Sequence, residues 1–138
     1  MKRKFINTLC LVIMSCLLSS AYAGVKIVIL GSSTAAGAGV INSENAWVNH
    51  YRTYLQSIDP TSQVINLAKG GYTTCAIMPT GTPDYNTGSH ILSVDTERNI
   101  DKALSYAPKG IIINMPTNDV SNGIPVDTQM KHFATIIE

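Results

Sequence analysis

Val25-Lys26-Ile27-Val28-Ile29-Leu30-Gly31-Ser32-Ser33-Thr34-Ala35-Ala36-Gly37 decides how this chain is read. Its first six residues form a nearly continuous β-branched and apolar run. Such a run suits a strand covered on both faces, as in a parallel sheet between helices. The run stops at a glycine, two serines and further small residues. Small residues let the backbone turn sharply after the strand, and a serine on that turn lifts its hydroxyl clear of the chain. Ser33 is thereby a candidate nucleophile.

Asn42 and Ser43 are placed to cap a helix. In that helix Trp47, Tyr51, Tyr54, Leu55 and Ile58 recur on one face, and Asp59-Pro60 ends it. Val64 to Ala68 reads as a second short strand that stops at Gly70-Gly71. From about Cys75 to Ser93 the chain is rich in Pro, Gly, Thr and Asn, and reads as a long loop of the kind that often carries function. Asp95 to Ala107 predicts a helix through Ile100, Ala103 and Leu104, broken by Pro108-Lys109-Gly110. Ile111 to Met115 is a third buried strand. Pro125 starts a last helix with Val126, Met130, Phe133 and Ile137 on one stripe.

Strands alternating with helices predict right-handed crossovers and a parallel sheet with helices on both faces. Ligands gather at the carboxyl ends of such strands. Three motifs fall there: Gly31 to Ser33, Gly70-Gly71, and Pro116 to Asp119.

The first 23 residues read differently. A basic Met1-Lys2-Arg3-Lys4, an apolar stretch to Leu18 and an Ala21-Tyr22-Ala23 exit signature predict a cleavable signal peptide. The apolar run is shorter than the roughly 20 residues of a comfortable bilayer span, so no stable membrane span is expected. Cleavage after Ala23 would leave a domain of residues 24–138, secreted or periplasmic. The three basic leader residues carry no matching acid, so their loss takes the net charge from +1 to −2. That balance argues against nucleic acid as a partner. Cys10 and Cys16 would leave with the leader. Cys75 would remain alone, a buried and inert thiol in a domain without a disulfide framework.

Acyl transfer by a serine needs a raised nucleophile, an oxyanion site and a general base. Ser33 supplies the first. Gly71 at the second strand end offers a backbone N–H where a side chain would obstruct substrate. Asn118 after the third strand offers an amide NH₂. Gly31-Ser32-Ser33-Thr34, Asn66-Leu67-Ala68-Lys69-Gly70-Gly71-Tyr72-Thr73-Thr74 and Asn114-Met115-Pro116-Thr117-Asn118-Asp119 together resemble the first three blocks of the SGNH (GDSL-type) hydrolases, in order and spacing. The resemblance implies a three-layer α/β/α sandwich of flavodoxin-like type. It implies hydrolysis of acyl or acetyl esters of lipids or glycans, with no cofactor. It places the nucleophile on Ser33 and oxyanion donors on Gly71 and Asn118.

Two departures accompany it. Ser32 stands where the family's first block carries aspartate, and a hydroxyl is expected to support the turn instead. The family's base is a histidine three residues after an aspartate near the C-terminus. None of Asp59, Asp84, Asp95, Asp101, Asp119 and Asp127 has a histidine at that spacing. The chain therefore reads as truncated after the third strand and following helix, with the Asp-His segment missing and little activity expected. His50 is read as a surface or half-buried residue, His90 as solvent-exposed in the long loop with a substrate contact as the alternative, and His132 as lying on the solvated face of the last helix.

Each motif alone is also what a turn or a cap needs. A non-catalytic carbohydrate- or ester-binding module, or an inactive fragment, is the alternative reading. A nucleotide or flavin site is disfavoured, because Gly31, Gly37 and Gly39 lack phosphate-loop spacing. No cluster of His, Cys, Asp or Glu has metal-ligand spacing.

Overall fold

The computed structural model describes residues 24–115 and 117–138. The signal-peptide reading of residues 1–23 lies outside the described residues. The chain runs β1 (Lys26–Gly31), α1 (Ser33–Ala36), a 3₁₀ turn (Ser43–Asn45), α2 (Trp47–Ile58), β2 (Gln63–Asn66) and a second 3₁₀ turn (Thr74–Ile77). It continues through β3 (Tyr85–Asn86), β4 (Ile91–Leu92), α3 (Ile100–Ser105), β5 (Gly110–Asn114), α4 (Asn118–Ser121) and α5 (Val126–Ile137).

The main sheet has the order β2-β1-β5, so the first strand is the central one. Both its pairings are parallel, with Ile27 opposite Val64 on one side and Val28 opposite Ile111 on the other. Because successive side chains of a strand point to opposite faces, β1 feeds two cores. Val28 and Leu30 join Ile77, Ile100, Ala103 and Ile136 on one face. Ile27 and Ile29 join Val48 and Val64 on the other, with Trp47, Tyr51 and Leu55 of α2 packed against them. Val28, Ile29 and Leu30 are completely buried, and burial of each stabilises the fold by about 1.5–3 kcal/mol. The expected α/β sandwich is therefore present: a parallel sheet with α1 and α2 on one face, α3 and α5 on the other.

Several local expectations need correction. The segment from Cys75 to Ser93 is more ordered than a loop. It holds the buried 3₁₀ turn and an antiparallel β3–β4 pair, Tyr85 opposite Leu92. The helix expected over Asp95 to Ala107 is confined to Ile100–Ser105. Asn99, fully buried, accepts the Lys102 N–H at 2.9 Å and so starts it late. Asn42 caps the 3₁₀ turn rather than α2, accepting from the Glu44 N–H.

In α2, Tyr54 and Ile58 are exposed. The inward face is carried by Val48, Tyr51 and Leu55, with Arg52 donating to the Val64 carbonyl of β2 at 3.2 and 3.4 Å. In α5, Val126, Met130 and Ile137 are exposed. The face toward the core is Gln129, His132, Phe133 and Ile136, which obeys the same helical spacing. His132 is therefore half-buried and not on the solvated face.

Candidate active site

β1 ends at Gly31, and the chain needs glycine there for a steric reason. A Cβ on Gly31 would lie 2.8 Å from both the Asn114 carbonyl oxygen and the Ala35 methyl. The close approach lets the Ser32 N–H reach the Asn114 carbonyl at 3.1 Å, tying the turn to β5. The Ala36 N–H closes onto the Ser32 carbonyl at 2.9 Å, and Ser33 opens α1 as a half-buried residue. Asn66 at the end of β2 braces this short helix. Its Nδ2 donates to the Ala35 carbonyl at 2.8 Å while its Oδ1 accepts the Ala68 N–H at 3.0 Å.

Ser32 does not do what the sequence leads one to expect of it. Its hydroxyl is 1% exposed and finds no hydrogen-bond partner among the described residues, and neither does Asn114 Oδ1. The turn is held by backbone hydrogen bonds and by Asn66, with no contribution from the Ser32 side chain. A hydroxyl is shorter than a carboxylate and offers one proton rather than two acceptor oxygens, so it reaches fewer groups.

The second motif sits beside the first. The Lys69 N–H donates to the Gly31 carbonyl at 3.1 Å. A Cβ built on Gly70 would come within 4.0 Å of the Ser33 Cβ, so this loop runs against the serine. Gly71 has φ +84° and nothing within 4 Å of an added Cβ. The requirement for glycine at 71 is thus conformational, and the space beside it is open. The backbone N–H groups of Ser33 and Gly71 find no acceptor among the described residues.

The third motif is fastened to the second twice. Asn118, first residue of α4, donates from Nδ2 to the Tyr72 carbonyl at 2.8 Å. Asp119, 3% exposed, accepts the Thr74 N–H at 3.0 and 3.2 Å and the Thr74 hydroxyl at 2.5 Å. Ser33, Gly71 and Asn118 therefore lie on three segments that the hydrogen bonds of the sheet's carboxyl end hold together.

Charged groups border the same end. The Tyr72 hydroxyl donates to Asp95 Oδ2, and the Lys69 ammonium stands 5.6 Å from the Tyr72 ring centroid. Burial and then the Asp95 hydrogen bond push the Tyr72 phenol above the usual tyrosine range. The same bond is the largest reason that the Asp95 carboxyl is held below the usual carboxylate range, with Lys69 and Arg98 adding to it. Arg98 also donates to the Leu67 and Ala68 carbonyls, both at 3.4 Å. Cys75 is free and buried as expected, and burial raises its thiol. No group of three His, Cys, Asp or Glu side chains among the described residues is arranged to hold a metal ion. No helix among the described residues is long and apolar enough to cross a membrane.

Sequence reasoning missed one participant. His132 Nδ1 lies 2.7 Å from the Thr74 hydroxyl, and the Tyr85 ring meets the imidazole edge-on at 6.0 Å. Burial lowers the His132 pKa, with Asp119 opposing. The only sequence signal for it was its spacing with Gln129 and Ile136, which competes with the more apolar stripe one position away.

Comparison with known proteins bears on the fold and the family. The family model for GDSL-like lipases/acylhydrolases matches residues 27–138. No curated protein matches the chain. Among solved structures, the psychrotrophic esterase EstA from Pseudoalteromonas sp., in a structure inhibited by monoethylphosphonate, is similar at 22% identity with a TM-score of 0.57. That match covers 81% of this chain and 51% of the esterase. AlinE4, an esterase of the SGNH-hydrolase family, is similar at 20% identity and TM-score 0.56, over 83% of this chain and 51% of its own. TesA is similar at 16% identity and TM-score 0.58, over 80% and 51%. The chain thus spans about half the length of the solved structures it matches. With its parallel sheet, its three strand-end motifs and a family match over nearly all the described residues, the chain belongs to the GDSL-like lipase/acylhydrolase (SGNH esterase) family.

Proposed function

We propose that this chain carries the nucleophile and oxyanion part of an extracytoplasmic serine hydrolase for carboxylic esters, acyl or acetyl esters of lipids or glycans. Ser33 attacks the ester carbonyl. The N–H groups of Ser33 and Gly71 and the Asn118 amide receive the negative charge that develops on the carbonyl oxygen. The observation that carries this reading is the juxtaposition at the end of β1: Ser33 opens α1 directly against the Gly70-Gly71 loop, where two backbone N–H groups find no acceptor among the described residues. Each such donor is typically worth about 100–1,000-fold in turnover. One N–H of the Asn118 amide is engaged by the Tyr72 carbonyl, which orients the other.

A base is required to take the Ser33 proton, and the sequence has no aspartate followed three residues later by histidine. Turnover by the 138-residue chain is therefore expected to be low, at the residual level that an oxyanion site and binding alone support. The signal-peptide reading of residues 1–23 is what supports an extracytoplasmic location. A phosphonate probe tests the nucleophile: mass spectrometry should find the adduct on Ser33, and Ser33→Ala should abolish it. Labelling that survives the substitution removes the assignment.

A further inference from the structure

The group that sequence reasoning placed in solvent is tied to both oxyanion segments. Thr74 lies three residues after Gly71, and Asp119 directly follows Asn118. The Thr74 hydroxyl, 1% exposed, contacts Asp119 Oδ1 at 2.5 Å and His132 Nδ1 at 2.7 Å. A hydroxyl has one proton, and a carboxylate only accepts. The Thr74 proton therefore goes to Asp119, and the hydroxyl oxygen accepts from a protonated Nδ1. This assigns the neutral imidazole to the Nδ1–H tautomer. Three elements meet at one buried hydroxyl: the 3₁₀ turn through Thr74, α4 through Asp119 and α5 through His132. The Tyr85 ring of β3 packs edge-to-face with the imidazole.

We propose that His132 is a positioning residue for the oxyanion site: its Nδ1–H, donated to the Thr74 hydroxyl, orients that hydroxyl onto Asp119 and so locks the Gly71 and Asn118 segments at a fixed separation. Without this donor the Thr74 hydroxyl keeps Asp119 as an acceptor but loses the contact that holds its rotamer from the other side. The link between the two segments then rests more heavily on the Thr74 N–H and on the Asn118–Tyr72 hydrogen bond. The inference rests on the assignment of Gly71 and Asn118 as oxyanion donors, but the clamp itself is measurable without it.

Nitrogen-15 NMR of the unmodified chain reads the tautomer directly, and Nδ1–H is expected. Two variants then separate donation from packing. In His132→Asn the side-chain NH₂ takes the place of Nδ1–H. In His132→Leu the volume stays and the donor is lost. Hydrogen exchange at the Thr74 amide should quicken about tenfold in the Leu variant, the cost of a hydrogen bond at a buried polar cluster. It should return to within about threefold of the unmodified chain in the Asn variant. Phosphonylation of Ser33 should slow and recover in parallel. An Nε2–H tautomer, unchanged Thr74 exchange in the Leu variant, or an Asn variant as impaired as Leu would each overturn the clamp. The tautomer decides the matter even where a variant does not fold. Absence of phosphonylation in the unmodified chain would instead count against Ser33 as nucleophile, while tautomer and exchange still report on the clamp.

Discussion

At the scale of single residues, Gly31 and Ser32 make opposite demands. Gly31 is fixed by its neighbours, since any Cβ would press on the Asn114 carbonyl, a backbone atom that cannot step aside. Gly31→Ala is expected to cost about 1–3 kcal/mol, as overpacking does elsewhere. Ser32 is the reverse case, a buried hydroxyl without a partner among the described residues. Such a group carries a desolvation cost of about 1–3 kcal/mol that removing it relieves. Ser32→Ala should therefore leave the melting temperature unchanged or raise it, whereas Gly31→Ala lowers it; thermal denaturation of the pair measures the contrast. The glycines and the serine could be placed from sequence because a strand-to-turn transition is written in adjacent residues. The fate of the Ser32 hydroxyl could not, because it depends on what the ends of β1 and β5 place around it.

At the scale of elements, both long helices show where helical periodicity misleads. In α5 two stripes satisfy the spacing. One, through Val126, Met130, Phe133 and Ile137, is the more apolar; the other, through Gln129, His132, Phe133 and Ile136, faces the core. The polar members of the second are tolerated because each finds a partner: Gln129 Nε2 donates to the Ile124 carbonyl at 2.8 Å, and His132 meets Thr74. Those partners lie in other parts of the fold or beyond a turn, so composition alone favours the wrong stripe. Ile136, 5% exposed, and Met130, 62% exposed, separate the two faces. Ile136→Ala should cost about 2 kcal/mol or more, and Met130→Lys should stay within about 0.5 kcal/mol of the parent. The strands were legible for a simpler reason. For β1 the apolar run is buried on both faces, and no choice of face had to be made.

At the scale of the whole molecule, titration and the sheet edge set the behaviour. Burial lowers the His132 pKa below the 6.5 of an unperturbed imidazole. The unfolded chain therefore takes up this proton first as pH falls, and stability decreases from about pH 6.5 downward. Asp59, Asp95 and Asp101 have carboxyls held below 3.8, chiefly by hydrogen bonds from Thr61, Tyr72 and Thr80 respectively. Their contribution is present above that value and is lost as pH falls through the lowered folded pKa values. Thermal melts across pH should show both declines, and His132→Asn should remove the upper one. The side of β5 away from β1 pairs with no strand among the described residues. Beside it lies an open groove of about 420 Å³, lined by Ile100, Leu104, Ile111, Ile113, Ile136 and Ile137. Unpaired apolar strand edges favour association, and the apolar groove makes this edge a place where it is expected.

The central place of β1 also sets a schedule. It is the first strand to be made, yet its partner β5 ends at Asn114, roughly 80 residues after Gly31. At synthesis rates of about 5–20 residues per second, the nascent β1 waits on the order of 4–16 seconds for that second neighbour. During that interval it can pair with β2 but one flank of the most apolar segment in the described fold stays open. The strand that places Ser33 thus gains its second neighbour only when β5 is made, and the turn at its end is set when Asn114 arrives to accept the Ser32 N–H.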